Sequence, residues 1–203
     1  MEKIIELRPG IILYRDVMPD PANFINKIEK MAESKKVEWT EAEHSGGQGQ
    51  AGQISYDIRQ CGVLALRPFD NPGYVKADED KYQYELHEEL NKYINPVLND
   101  YLSYYSADQW NKNYEGWQIL KYNQNGHFVN HYDDCEQFKR TVSISYYLNG
   151  DFEGGEIEFQ RHALKIKPEE NFAIIFPSNY VNNHIVHPVT SGTRYTCVGW
   201  FDC

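Results

Sequence analysis

Residues 184–201 read HIVHPVTSGTRYTCVGWF, in which two β-rich runs, HIVHPV and RYTCVGWF, share the turn signal PVTSG between them. Short runs of β-branched and aromatic residues separated by Gly, Pro and Asn are typical of antiparallel strands. Further runs of this kind come earlier in the chain: WQILKY (117–122), RTVSISYYLN (140–149), GEIEF (155–159), ALKIK (163–167) and NFAIIF (171–176). This pattern predicts an antiparallel sandwich or barrel, built as a double-sheet jelly roll.

The chain before about Trp110 has a helical texture. Asp20 as a cap and Pro21 in the first turn predict a helix that ends near Ser34. A second, longer apolar stripe predicts a helix over 80–106, with a kink or break at Pro96. The glycine-rich segment 45–55 is expected to be a loop that acts as a lid. Short strands are expected at 11–14 and within 56–66.

A chain of 203 residues is long enough to bury one substantial core. We therefore predict one domain over 1–203, mainly β with N-terminal helices. Residues 1–110 are assigned to a helical support and lid region, and residues 111–203 to the jelly-roll, or double-stranded β-helix, catalytic core. The helices are expected to pack on one of its sheets.

The composition limits the kinds of partner and the cellular compartment that are expected. The formal net charge is −10, and no run of Lys or Arg forms a basic groove, so nucleic-acid binding is not expected. None of the four cysteines forms a CxxC pair, and the first residues lack the apolar stretch of a signal peptide. A cytoplasmic protein with reduced thiols and no membrane contact is the resulting expectation. The oligomeric state is left open.

A His-x-Asp pair, His131 and Asp133, lies where the strand texture begins. In a strand, residues two apart share a face, so both side chains can reach one metal ion. A rival pair, His87 and Glu89, lies in a predicted helix, where residues two apart point to different sides. His131 and Asp133 are therefore the better metal ligands.

A third ligand must come from another strand, and His184 and His187 are the candidates. They are an odd number of residues apart and face opposite sides of a strand, which leaves His187 a surface or packing role. Two His and one carboxylate with open positions suit non-haem Fe(II). A hairpin at PVTSG would return Arg194 to the vicinity of His184, where a guanidinium can hold a carboxylate by two hydrogen bonds.

Three motifs in order carry a family resemblance: HYD (131–133), FEGGEIEF (152–159) and HIVHPVTSGTRYTCVGWF (184–201). In this order the sequence resembles the Fe(II)/2-oxoglutarate oxygenases of the prolyl 4-hydroxylase type. The resemblance covers about Trp117 to Phe201. It implies the cofactors Fe(II), 2-oxoglutarate and O₂, with ascorbate as a further candidate.

The resemblance also implies residue roles. His131, Asp133 and His184 correspond to the iron ligands, and Arg194 to the base that pairs with the 2-oxoglutarate C5 carboxylate. Further positions correspond to cosubstrate-pocket residues and to a glycine turn that lets a strand approach the site: Tyr147, Tyr122 and Trp200, then Gly154 and Gly155.

The resulting functional hypothesis is a dioxygenase that hydroxylates a C–H bond and releases succinate and CO₂. The resemblance favours a peptidyl proline or another peptide side chain as substrate. Hydroxylation of a free amino acid or another small molecule is one alternative. A second is a binding module that keeps the jelly roll without catalysis, and a third is a cupin-type isomerase. Arg59, after the glycine-rich loop, is either a substrate contact or a solvated or ion-paired arginine.

Overall fold

The computed structural model describes residues 2–44, 52–66, 78–106, 113–134 and 139–202. Its α-helices are α1 (Pro21–Glu33) and α2 (Asp78–Tyr104), and two short 3-10 helices cover Gln160–His162 and Tyr180–Asn182. The strands in chain order are β1 (Glu2–Arg8), β2 (Ile11–Arg15), β3 (Thr40–Glu41), β4 (Arg59–Gln60), β5 (Gly62–Leu66), β6 (Asn113–Tyr122), β7 (His127–His131), β8 (Val142–Tyr147), β9 (Glu153–Gly154), β10 (Ile157–Phe159), β11 (Leu164–Ile166), β12 (Phe172–Pro177), β13 (His184–Val186), β14 (Val189–Ser191) and β15 (Arg194–Asp202).

Two antiparallel sheets form the body of the fold. The large sheet has the order β1-β2-β12-β8-β15-β6-β5-β3, and the small sheet has the order β11-β10-β13-β7-β4. A two-stranded ribbon of β14 and β9 links them at one end. This mainly β architecture with a jelly-roll core confirms the predicted fold class.

The two faces of the large sheet bury different partners because side chains alternate along each strand. On one face, Ile144 and Tyr146 of β8 and Cys197 of β15 join a core with Leu90 and Ile94 of α2. The opposite face, which carries Tyr147 of β8, is turned toward Ile157 and Phe159 of the small sheet. We call the space between the two sheets the cavity. The helices therefore pack on one sheet, as the sequence predicts, and leave the other face for the site.

The predicted helices are present. Asp20 caps α1 by accepting a hydrogen bond from the Asn23 backbone N–H at 2.9 Å. α2 continues through Pro96 without a break, although a kink or break was expected there. Pro96 is exposed, so water can replace the backbone hydrogen bond that proline cannot make.

The N-terminal half contributes more strands than its sequence indicates. The strands β1, β2, β3 and β5 extend the large sheet at its two edges, and β4 forms an edge of the small sheet. The strands β2, β4 and β5 lie in segments where strands are predicted. The assignment of residues 1–110 to a support region and of 111–203 to a core stays a prediction.

Some sequence predictions concern residues that the structure describes only in part. Most of the expected lid, from 45 to 51, lies outside them, as do Cys135 and Cys203. Cys61 and Cys197 are both buried and not in a disulfide. Within the described part of the chain, neither helix combines the length and the apolarity that a bilayer crossing needs.

Gly199 is predicted to be essential for packing between β15 and β6. A Cβ at this position would overlap the ring of Trp117, within 2.6 Å of Cε3, and this ring is fully buried. Gly199→Ala should lower the free energy of unfolding by about 1–3 kcal/mol, since overpacking displaces a core aromatic. Urea unfolding measures the change.

Gly62→Ala is the matched control in the same sheet. Its Cβ would lie 3.5 Å from Trp39, an ordinary van der Waals contact, so its stability should not fall. Equal destabilisation by both substitutions would show that loss of glycine alone, and not the Trp117 contact, is responsible.

Candidate metal centre and carboxylate pocket

Two histidines face each other across neighbouring strands of the small sheet. His131 at the end of β7 is the register partner of His184 at the start of β13, and their ring centroids are 4.3 Å apart. Asp133 lies beside them, with its Oδ1 atom 3.6 Å from His131 Nε2. One potential ligand atom from each of the three residues lies within 4.8 Å of the others. These side chains could therefore share a single ion.

Backbone carbonyls orient both imidazoles. His131 Nδ1 lies 2.8 Å from the Val129 oxygen, and His184 Nδ1 lies 3.1 Å from the Asn182 oxygen. A carbonyl only accepts, so each Nδ1 carries the proton and each Nε2 keeps its lone pair. This tautomer is the one that a metal-binding histidine requires when Nε2 is the ligand atom.

Asp133 reaches the cluster by a different route from the predicted one. The strand β7 ends at His131, so Asp133 lies in the turn after it and not in the same strand. Its backbone N–H donates to the Ser178 carbonyl at 3.2 Å. The Ser143 hydroxyl donates to Asp133 Oδ2 at 2.6 Å and also lies 2.8 Å from the Ser178 hydroxyl. Oδ2 is thus occupied, and Oδ1 is left for a metal.

The protonation states suit metal binding. Burial, reinforced by His131, lowers the pKa of His184 to about 4, while Asp133 acts in the opposite direction. Burial alone would raise the pKa of Asp133, but His184, His131 and the Ser143 hydroxyl hold it well below its usual range. At neutral pH the site therefore presents a carboxylate and at least one neutral imidazole, which are the forms that bind a cation.

Arg194 is 2% exposed, although it carries a charge. Its guanidinium lies between two aromatic rings, 4.8 Å from the Tyr122 centroid and 5.0 Å from the Tyr147 centroid. Among the described residues, Arg194 Nε and Nη1 and the Tyr147 hydroxyl have no hydrogen-bond partner. Leaving such groups unpaired costs about 1–3 kcal/mol each. The arrangement fits an anion that the protein itself does not supply.

Arg194 and His184 approach each other across the cavity. The chain does not form the predicted hairpin between them, because β13 belongs to the small sheet while β15 lies in the large one. The ribbon strand β14 carries the chain from one sheet to the other. Gly155, with φ +64°, lets the segment after β9 lie close to Arg194, since a Cβ there would be 3.2 Å from Arg194 Cδ. Gly154 also has the expected positive φ, +73°.

The remaining sequence candidates lie on the same inner surface. Tyr147 and Tyr122 are buried beside Arg194. Trp200 is buried further along β15, opposite Ser143, and its ring is covered by Arg140 at 4.0 Å. This position is nearer the Asp133 end than the Arg194 end. The roles of these residues, and of the three metal-ligand candidates, stay predictions.

The rival histidines lie elsewhere. His187 pairs with Glu158 at 2.6 Å, in agreement with a packing role. His87 is buried in α2 and contacts Glu88 and Asn91.

Sequence reasoning missed two polar residues of the cavity, Ser143 and Thr196. Thr196 is buried, and its hydroxyl has no partner within the described chain. The sequence could have indicated Thr196, because it is two residues after Arg194 in the same strand and therefore shares its face. Likewise Ser143 is four residues before Tyr147 in the same strand.

The donor set fits the metal that the resemblance implies. Two imidazoles and one carboxylate grouped on one side of an ion leave further positions open, as in non-haem Fe(II) oxygenases. The hydrogen bond from Ser143 to Asp133 also agrees with a metal site, since the ligands in such sites are themselves held by hydrogen bonds. Arg140 also holds Asp133 in place by donating to its backbone carbonyl at 3.1 Å. Arg140 in turn forms an ion pair with both carboxylate oxygens of Glu115.

Ser143 is predicted to position Asp133 for metal binding. Ser143→Ala should weaken binding of Mn(II), used as an air-stable stand-in for Fe(II), by about 10–100-fold, because the Asp133 carboxylate loses the donor that orients it. Isothermal titration calorimetry measures the affinity. Ser145→Ala is the control, since Ser145 lies on the same face of β8 two residues away. Unchanged Mn(II) affinity in the Ser143 variant would contradict the assigned role.

Comparison with known proteins bears on the same region. Residues 117–202 match the family model of the 2OG-Fe(II) oxygenase superfamily. A PKHD-type hydroxylase of Prochlorococcus marinus is 42% identical over 66 residues, which is 30% of this chain and 29% of that protein. A putative prolyl 4-hydroxylase of Acanthamoeba polyphaga mimivirus is 28% identical over 44% of this chain and 45% of its own. The matches thus span less than half the length of these two relatives.

Solved structures share the fold over nearly the whole chain. The viral collagen prolyl hydroxylase of Paramecium bursaria Chlorella virus-1, solved as a 2OG complex, superposes with a TM-score of 0.63 at 18% identity and covers 95% of both chains. A prolyl hydroxylase of Trichoplax adhaerens, in complex with a peptide of hypoxia inducible factor, gives 0.67 at 15% identity, over 95% of this chain and 83% of its own.

The family model covers the strands that carry the His-Asp-His cluster and Arg194, and the fold continues on its N-terminal side. Over residues 117–202 this chain is similar to the 2OG-Fe(II) oxygenase superfamily, and its sequence relatives include a PKHD-type hydroxylase and a putative prolyl 4-hydroxylase.

Proposed function

We propose that this protein is an Fe(II)- and 2-oxoglutarate-dependent dioxygenase that hydroxylates a C–H bond of a peptide, with a peptidyl proline as the favoured target. The observation that carries the proposal is the combination of the His131–Asp133–His184 cluster with a buried, unpaired guanidinium in the same cavity. A metal-binding jelly roll with another chemistry would have no need of Arg194.

The proposed roles follow from the positions of these groups. His131, Asp133 and His184 would hold Fe(II) through Nε2, Oδ1 and Nε2. Arg194 and the Tyr147 hydroxyl would bind the C5 carboxylate of 2-oxoglutarate, which gives partners to donors that are otherwise unsatisfied. When bound, iron and 2-oxoglutarate supply the O₂ chemistry that leaves a hydroxyl on the substrate and yields succinate and CO₂.

The protein's own part is to position these groups and to exclude water. Tyr122 and Tyr147 cover the guanidinium on two sides, so its interaction with a carboxylate takes place at low dielectric and is stronger than in water. Ser143 and Arg140 keep Asp133 in place while the remaining metal positions stay open. The substrate would approach from the free edge of the small sheet, where β4 ends the strand order.

A peptide substrate is supported by the kinds of protein that resemble this chain. The Trichoplax prolyl hydroxylase was solved with a peptide fragment, and the sequence relatives include prolyl hydroxylases. Exposed Val129 and Tyr132, at 40% and 54% exposure, flank the metal-ligand candidate His131. Apolar side chains beside an opening are suited to contact with an extended peptide.

The direct test is formation of succinate from 2-oxoglutarate by purified protein with Fe(II) and O₂, measured with and without proline-containing peptides. We expect turnover that depends on added Fe(II) and increases with an accepted peptide, together with a 16 Da increase in the mass of that peptide. Absence of both 2-oxoglutarate binding and succinate formation would leave a non-catalytic jelly-roll module as the better description.

Arg194→Gln should weaken 2-oxoglutarate binding by at least about 30-fold, since truncating one partner of a buried charged pair costs about 2–5 kcal/mol. Calorimetry with the Mn(II)-loaded protein measures the affinity without turnover. Arg194→Lys keeps the charge but not the two parallel hydrogen bonds, and should be intermediate. If Arg194→Gln instead lowers Mn(II) affinity and leaves 2-oxoglutarate affinity unchanged, the carboxylate role is wrong.

A further inference from the structure

A second arginine, Arg59, faces the cavity from the opposite side. It lies on the edge strand β4 as the register partner of Phe128, and Phe128 is in turn the partner of Val186. Directly paired residues in a sheet point to the same face. Val186 is buried in the cluster that also contains Tyr122, so this row of side chains points inward and Arg59 is its outermost member.

The guanidinium of Arg59 is one aromatic ring away from the metal-ligand cluster. It lies 4.9 Å from the centroid of the Phe128 ring. That ring is stacked on the imidazole of His131, with the centroids 3.5 Å apart and an interplanar angle of 19°. The sequence thus arranges a cation, a phenyl ring and a metal-ligand candidate in one column that starts at the free edge of the sheet.

The guanidinium of Arg59 forms few hydrogen bonds that would compensate for its partial removal from water. Nη1 donates to the Glu43 carbonyl at 3.2 Å, while Nε is buried without a partner among the described residues. No carboxylate within the described residues forms an ion pair with Arg59. The ion pair that the sequence left open as its role is therefore absent from this part of the chain.

Both arginines act electrostatically on one phenol, that of Tyr122. Burial and Cys61 raise the pKa of Tyr122, and the positive charges of Arg59 and Arg194 both act against this increase. Tyr122 thus lies within electrostatic range of both guanidinium groups. The C5 carboxylate of 2-oxoglutarate is assigned to Arg194. Asp133 and the Cys61 thiol act on Arg59 electrostatically, but no carboxylate of the described residues forms an ion pair with it.

Resting on the proposed function, we propose that Arg59 binds a carboxylate of the substrate and makes the enzyme selective for anionic substrates. A planar guanidinium recognises a carboxylate through two parallel hydrogen bonds. The carboxylate belongs either to an Asp or Glu next to the hydroxylated residue of a peptide, or to the backbone of a free amino acid. Both sources carry the same chemistry, and the test below separates them.

The position of Arg59 favours the substrate over the cosubstrate. The C5 end of 2-oxoglutarate already has buried donors in Arg194 and Tyr147. Arg59 is instead half-buried, on the last strand of the small sheet. Two exposed side chains lie near Arg59. Tyr56 is three residues before it in sequence, and Val129 is on the neighbouring strand β7, where its N–H donates to the Ile58 carbonyl. A group bound at Arg59 would therefore be held at the mouth of the cavity.

The test uses full-length protein loaded with Mn(II) and N-oxalylglycine, an unreactive analogue of 2-oxoglutarate. The probes are acetylated pentapeptide amides with a central proline and Glu, Gln or Lys at the flanking positions, together with free L-proline and prolinamide. Binding is measured by calorimetry, and succinate formation is measured in parallel with Fe(II) and 2-oxoglutarate. Glu and Gln have similar shapes, so their ratio isolates the charge.

We expect wild-type protein to bind the Glu peptides at least about tenfold more tightly than the Gln peptides, which corresponds to about 1.4 kcal/mol. Arg59→Gln should reduce this ratio to near one, and Arg59→Glu should shift the preference to the Lys peptides. Preference for L-proline over prolinamide, without discrimination among the peptides, would assign the carboxylate to a free amino acid.

Arg15→Gln removes the same charge at an exposed ion pair remote from the cavity and should leave the ratio unchanged. The proposal is overturned if wild-type protein does not discriminate carboxylate from amide in either arm, if Arg59→Gln discriminates like wild type, or if it mainly weakens 2-oxoglutarate binding. A wild-type protein that binds no 2-oxoglutarate and forms no succinate would instead reject the proposed function.

Discussion

Arg194 imposes the strongest electrostatic constraint on this fold. A fully buried guanidinium with two unpaired nitrogens is destabilising unless an anion completes it. The cost is offset elsewhere, because the opposite face of the same sheet buries an apolar core under α2. Strand alternation separates these two demands: along β15, Arg194 and Thr196 face the cavity, while Cys197 faces the helix. The site can therefore remain polar without interrupting the core.

The metal end of the cavity is built to be rigid. Asp133 lies in a turn, which by itself would allow its carboxylate to move, yet its side chain, its N–H and its carbonyl are each fixed by a neighbour. The imidazoles of His131 and His184 are held by carbonyls within their own segments. The proposed ferrous site needs protein ligands that are held in place in this way. Their arrangement must already be correct before the cosubstrate and O₂ bind at the open metal positions.

Much of this arrangement could be predicted from the sequence because it follows local rules. Runs of β-branched and aromatic residues between turn signals identified the strands. The odd spacing of His184 and His187 separated a member of the cluster from the partner of Glu158. What could not be predicted depends on long-range pairing. Nothing local shows that β7 ends at His131, that β13 and β15 belong to different sheets, or that Arg140 covers Trp200. The edge strands β1 and β3 were missed for the same reason, since nothing in their own residues shows that they pair with β2 and β5.

The position of Arg59 at such an edge strand has a functional consequence. The strands that carry His184 and Arg194 each have two neighbours: β13 lies between β10 and β7, and β15 lies between β8 and β6. By contrast, β4 contributes only two residues and has one neighbour, β7. Changes there disturb few other contacts, so the side chains at the mouth can vary while the metal and cosubstrate ends stay the same. In the proposed function, the reaction would thus depend on residues at the centre of the sheets, and the choice of substrate on residues at their edge.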